Sequence, residues 1–131
     1  MIVGKQIRKV TLELWNNAWC GTNYGPTFEI RTQDNERRNV TSSYNPAYRG
    51  DTLEWNTYNG KLGRVSLLKV SGDYIRFTLF GQSGDEFCPK RFVVQTYDGT
   101  RYQSFEMEDW VDSSKGNQQR FAYKDVNILE I

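Results

Sequence analysis

The sequence predicts an all-β fold, an antiparallel sandwich of roughly seven to nine short strands. Three observations lead there. Apolar and polar residues alternate with period two in one segment after another, and no segment repeats at the helical period of about 3.6. Turn signals built from Gly, Asn, Asp and Ser recur about every 8–12 residues. Aromatic residues make up 15% of the chain while alanine is scarce, a balance that suits pleated surfaces better than helices.

In chain order, Val10, Leu12 and Leu14 alternate with Thr11 and Glu13, giving a first strand with one buried face. Residues 26–33 form a second, with Phe28 and Ile30 inward. Residues 38–44 are a polar third strand whose length and composition suit a sheet edge. A short fourth covers 52–55. Residues 64–70 and 74–80 follow, separated by the turn Ser71-Gly72-Asp73. Residues 91–97 and 101–107 read as a hairpin, because Asp98-Gly99 is a strong tight-turn signal. A short strand over 120–123 closes the pattern, 125–131 carry no assignment, and the one helical turn expected is 108–113.

A chain of 131 residues is sized for a single domain, 1–131. Its 17 basic and 16 acidic residues nearly cancel, so no overall field steers it to nucleic acid or an anionic membrane. The local pairs Arg8-Lys9, Arg37-Arg38 and Lys90-Arg91 read as solvated strand faces. There is no histidine, which removes the usual general base and the commonest transition-metal ligand. Paired carboxylates can hydrolyse glycosides, and Asp85-Glu86 and Glu106-x-Glu108-Asp109 offer such pairs. Alternation, however, sets Glu106 and Glu108 on one solvated strand face. The reading is not an enzyme.

Two cysteines do not make a zinc site, which wants about four ligands. A Cys20–Cys88 disulfide would close a loop of roughly 70 residues, worth about 4 kcal/mol in the chain-entropy model. Two unrelated buried thiols are the alternative, and their separation in the fold decides. The N-terminal stretch "MIVGKQIRKV" is neither a signal peptide nor a transmembrane span, since its apolar run is short and charges interrupt it. Asn39-Val40-Thr41 fits a glycosylation acceptor and adds to an extracellular expectation.

Four blocks then occur in a recognisable order: "GTNYGPTFEI" at 21–30, "RGDTLEW" at 49–55, "LGRVSLLKV" at 62–70, and "DEFCPKRFVVQTYDGTRYQSFEMEDWVDSSKG" at 85–116. In order and spacing the chain resembles the PLAT (lipoxygenase-homology) family, found in lipoxygenases, polycystins, pancreatic lipases and clostridial alpha-toxin, over about residues 9–123. Phe105 and Trp110 stand at the family's Phe and Trp positions, where a core role plugging the sandwich end is expected. Asn23 replaces a usual Asp, Phe87 stands where Trp is common, and the two cysteines are not family features. The resemblance implies an eight-stranded sandwich of two four-stranded sheets. It also implies a non-catalytic module that docks to lipid surfaces or protein partners through loops at one end.

The stretch "WNNAWCGTNYG", 15–25, sets large rings among turn residues. Trp15 is expected to end the first strand and pack. Trp19, with Tyr24, is implied by the resemblance as a membrane-inserting tip, since indole suits the bilayer interface; covering the open end of the sandwich is the other reading. A Cys20–Cys88 bond would brace the tip and bring Phe87 beside Trp19, so that Trp19, Tyr24 and Phe87 together form a small apolar binding tip. Calcium is the one cofactor left open, since some PLAT domains hold it with loop carboxylates. Asp73, Asp85 and Glu86 are the candidate ligands here, with Asn16, Asn17 and Asn23 adding carbonyls. Ordinary turn chemistry explains the same residues. The expected partner is a lipid surface or a protein, met by a monomer. The alternatives are a protein-docking sheet face of Tyr44, Tyr48, Tyr58, Arg37 and Arg38, or a carbohydrate platform of two coplanar rings.

Overall fold

The computed structural model describes residues 2–22, 26–32, 36–42, 44, 46–72, 74–80, 87–104, 106–107, 121–127 and 129–130. Its strands are β1 (Ile2–Leu14), β2 (Thr27–Thr32), β3 (Arg37–Val40), β4 (Thr52–Asn56) and β5 (Lys69–Gly72). They continue as β6 (Tyr74–Phe80), β7 (Pro89–Thr96), β8 (Arg101–Gln103), β9 (Phe121–Asn127) and β10 (Leu129–Glu130). One antiparallel sheet runs β10-β8-β7-β1-β4, with β5 also on β1, and the other runs β3-β2-β6-β9. The all-β sandwich is thus as expected, with β3 at an edge. Among the described residues the one helical element is a 3-10 turn, Gly63–Leu67.

The first sheet exceeds four strands for a reason that lies in β1. That strand spans 13 residues, starting well before Val10. Its second half pairs with both β4 and β7, from Lys9 and Ile7 onward. Toward its start, Ile2, Lys5 and Gln6 face β5 instead, which supplies partners for backbone groups that β4 is too short to reach. Short β10 extends the opposite side by pairing with β8. The region 64–70 is not one strand: Val65 and Leu68 are both fully buried, and their three-residue spacing matches a 3-10 period. β8 ends at Gln103, earlier than expected, and Ser104 caps it by accepting the Phe92 N–H on its hydroxyl at 2.9 Å. Phe105, Trp110 and the 108–113 turn lie outside the described residues.

The core is aromatic and joins the two sheets. Trp55 of β4 meets Phe28 of β2 edge-on, with ring centres 4.9 Å apart. Phe28 in turn meets Phe92 of β7 at 5.5 Å, and Phe92 stacks on Phe77 of β6 at 3.8 Å. Tyr44 closes the cluster edge-on against Trp55 at 5.4 Å and donates its hydroxyl to the Glu54 carbonyl.

Two local features shape the sheet surface. At the β7–β8 hairpin Gly99 has φ +86°, as a tight turn requires. The Asp98 carboxylate accepts from the Thr96 hydroxyl and the Thr100 N–H. These bonds, with Lys5 nearby, hold it well below the usual carboxylate range. In β1, Ile7 pairs with Thr96 but Lys9 with Gln95. Arg8 is therefore an extra residue, a bulge that sets Arg8 and Lys9 side by side on the outer face.

Candidate functional site

β1 carries the chain to one end of the sandwich, and the loop beyond Leu14 is fastened there on three sides. The Trp15 N–H donates to the Cys88 carbonyl at 3.0 Å, and the Cys88 N–H donates to the Cys20 carbonyl at 3.2 Å. Cys20 and Cys88 form a disulfide with Cα atoms 4.6 Å apart, both residues buried. On the other side Thr22 and Ala47 exchange two backbone bonds of 2.8 Å each. A loop so tied has little freedom left to lose on docking.

Between these ties the chain turns over Asn17-Ala18-Trp19-Cys20, closed by the Cys20 N–H on the Asn17 carbonyl at 3.3 Å. Trp19 has φ +67°, the sole non-glycine positive φ among the described residues. It occupies the turn position where glycine is the usual residue, and a left-handed side chain costs about 1–2 kcal/mol. The ring gains no burial in return, since Trp19 is 83% exposed. A bulky residue held in strain and pointed at solvent is the pattern of a functional position. Tyr48 and Arg49, on the loop bonded to this one through Ala47, are exposed as well. Their proximity comes from the Thr22–Ala47 bridge, which no local sequence signal announces.

The other rings sort differently. Trp15 is half-buried: its indole N–H donates to the Met107 carbonyl at 2.7 Å, and the Lys90 ammonium lies 4.9 Å from its ring centre. Phe87 was expected beside Trp19 but belongs to the core at 1% exposure. Burying a phenyl ring contributes about 1.5–3 kcal/mol, which exposure at the tip would forfeit. Tyr24 and Asn23 lie outside the described residues, as do Asp73, Asp85 and Glu86. Among the described residues no three potential metal ligands come together.

The alternative sheet face is not assembled. Tyr44 packs on the core, Tyr48 precedes β4 and Tyr58 follows it, and Arg37 and Arg38 stand on β3 of the other sheet. Glu106 is exposed and paired with Arg91 at 2.8 Å.

Gly21 is the hinge of this architecture. A Cβ there would lie 2.8 Å from the Ala47 carbonyl oxygen and 3.0 Å from the Arg49 nitrogen, both backbone atoms that cannot swing aside. Gly21→Ala is expected to lower stability by about 1–3 kcal/mol. It should also raise the hydrogen-exchange rate of the Thr22 and Ala47 amides; unchanged exchange would show that the loop pair does not depend on this close approach.

Fold and site together define a β-sandwich with a rigid, aromatic-tipped loop at one end. No protein-family model and no curated protein sequence matches the chain. Solved structures do. Alpha toxin from Clostridium absonum superposes with a TM-score of 0.58 at 17% identity, over 90% of this chain and 31% of the toxin. A Delta413-417:GS LOX in complex with arachidonate gives 0.57 at 13% identity, over 95% of this chain and 16% of its own. The alpha-toxin of Clostridium perfringens avian strain SWCP gives 0.50 at 13%, over 95% and 32%. The chain thus spans about a third of the toxins and about a sixth of the LOX chain. At these identities the likeness is one of fold, and that fold is PLAT-like.

Proposed function

We propose that this chain is a non-catalytic binding module that docks on lipid surfaces through the loop end carrying Trp19. The exposed indole on its strained, disulfide-braced turn is the observation that carries the reading. Indole favours the bilayer interface, where its apolar body and polar N–H each find a match. A single ring gives weak, reversible attachment, which a second signal strengthens. Tyr48 and Arg49 on the adjoining loop offer one: a further ring and a cation for anionic headgroups. Calcium held by Asp73, Asp85, Glu86 and Asn23 is the other.

The superposed proteins are PLAT-like in fold within larger chains, which supports a docking role in place of catalysis. A disulfide fits an oxidising, extracellular setting, and Asn39 is exposed on the edge strand β3. No helix among the described residues is long and apolar enough to cross a membrane. The module is proposed to act as one domain and as a monomer.

Co-sedimentation with phosphatidylcholine/phosphatidylserine vesicles, with and without calcium, tests this. Trp19→Gly is expected to lower vesicle binding by at least about fivefold, the loss of one interfacial indole. The same variant should melt no lower than the parent, because glycine relieves about 1 kcal/mol of left-handed strain. A parent protein that ignores every vesicle composition, or a glycine variant that binds as well, ends the lipid reading.

A further inference from the structure

A recess of about 360 Å³ opens on the outer face of the six-stranded sheet, lined by Arg8, Lys9, Glu54, Asn56, Tyr58 and Gln95. It is apart from the Trp19 loop. The recess is built around the end of β4 that pairs with Lys9, whereas the loop follows Leu14 at the other end of that pairing.

Register explains how the lining comes together. Lys9 pairs with Asn56 on one side and with Gln95 on the other, and Gln95 pairs with Arg101. Directly opposed side chains stand about 4.5–5.5 Å apart. One row across β4, β1, β7 and β8 therefore reads amide, cation, amide, cation. The bulge adds Arg8 next to Lys9, and Tyr58 beyond β4 forms a rim. Arg8 donates to the Tyr58 hydroxyl at 3.3 Å, with its guanidinium 5.3 Å from the ring centre. Tyr58 remains 81% exposed, leaving ring surface open to a ligand.

The charges are unequally engaged. Glu54 takes Lys9 at 3.4 Å and the Asn56 amide at 2.6 Å. Arg8 has no carboxylate partner among the described residues, only Tyr58. Asn56 also accepts the Tyr58 and Asn59 N–H groups on its carbonyl oxygen, at 2.8 and 2.7 Å, so its amide is used in shaping the turn after β4. The recess thus presents the Gln95 amide, an aromatic face and one guanidinium not neutralised by an acid. Amides suit hydroxyls, which both donate and accept. An exposed tyrosine suits the C–H face of a sugar ring, and a guanidinium fork suits a carboxylate.

We propose that this recess is a binding site for an acidic saccharide, its ring against Tyr58, its hydroxyls on the Gln95 amide, and its carboxylate on Arg8. The site is independent of the lipid reading and goes beyond it. The volume is within the ordinary range for small-ligand sites, about 300–1,000 Å³. An acidic peptide such as poly-aspartate would use the guanidinium but brings no sugar C–H face to the open ring.

Calorimetric titration of the full chain with tetragalacturonate, cellotetraose and hexa-aspartate decides the matter. Tetragalacturonate is expected to bind at least about fivefold more tightly than either of the others, as loss of a charge-assisted bond or of ring stacking implies. Arg8→Gln and Tyr58→Ala should each weaken it by about five- to tenfold, while Thr52→Ala on the same sheet leaves it unchanged. All three sites are exposed or half-exposed, and unaltered melting confirms the variants are folded. Vesicle binding of Arg8→Gln should equal the parent's, separating this site from the Trp19 loop. No heat with tetragalacturonate, equal binding of hexa-aspartate, or full affinity in Arg8→Gln overturns the proposal.

Discussion

Removing the Cys20–Cys88 bond, by reduction or as the paired Cys20→Ala, Cys88→Ala variant, is expected to destabilise the protein by about 4 kcal/mol. The two residues are 68 apart in sequence, so the unfolded chain regains the freedom of a long loop. Little is lost on the folded side. The backbone bonds from Cys88 to Cys20 and from Trp15 to Cys88 do not involve sulfur, and β1 and β7 stay paired from Ile7 to Leu14. The effect therefore acts chiefly through the unfolded state. For a chain of this size, 4 kcal/mol corresponds to a fall in melting temperature of roughly 10–20 °C. The denaturant m-value should rise too, because an uncrosslinked unfolded chain exposes more surface. Vesicle affinity should fall by a smaller factor, as the loop around Trp19 gains freedom to lose on docking. A melting shift under about 3 °C with an unchanged m-value would mean that the bond is structurally idle.

The central strands were legible in the sequence because each buries one face. The alternations over Val10 to Leu14, Phe28 to Ile30 and 74–80 survive as β1, β2 and β6. Legibility fails where the period changes. The bulge at Arg8 places Ile7 and Val10, three residues apart, both in the core, so the first half of β1 drops out of an alternating pattern. Val65 and Leu68 mislead in the opposite way: read as a strand, their segment is a 3-10 turn. The Trp19 loop was half legible. Rings among turn residues mark it as unusual, but exposure depends on a positive φ and on ties to Ala47 and Cys88 made far along the chain. Phe87 sits next to Cys88 and still points into the core, since sequence adjacency to a bridge does not set a ring's direction. Arg8-Lys9 reads as a solvated pair, and only long-range register brings Asn56 and Gln95 beside it.

Trp55→Ala is expected to be the most damaging single substitution, about 4–5 kcal/mol. Trp55 is fully buried, and its ring touches Phe28 of the opposite sheet and Tyr44 beside it, both edge-on. Truncation leaves a void between the sheets that Phe28 cannot fill without leaving Phe92 and Phe77, whose stacked pair is centred 3.8 Å apart. It also strips the Ser42 carbonyl of the indole N–H that reaches it at 2.9 Å, an added cost of about 1–3 kcal/mol if no water replaces it. Domains typically have about 5–15 kcal/mol in total, so the alanine variant should be near the threshold of folding at 37 °C. Trp55→Phe separates the two contributions. It keeps an aromatic edge toward Phe28 and loses the hydrogen bond and part of the volume, with an expected cost of about 1–3 kcal/mol. Denaturant unfolding of both variants measures the pair. If phenylalanine costs as much as alanine, the Ser42 bond dominates; if alanine costs less than about 2 kcal/mol, the sheets close over the void and the aromatic cluster is not what holds them together. The contrast with Trp19→Gly is the sharpest consequence of the architecture. Two tryptophans of one chain should part, Trp55 governing stability with no contact to the Trp19 loop, and Trp19 governing vesicle binding at no cost to the fold.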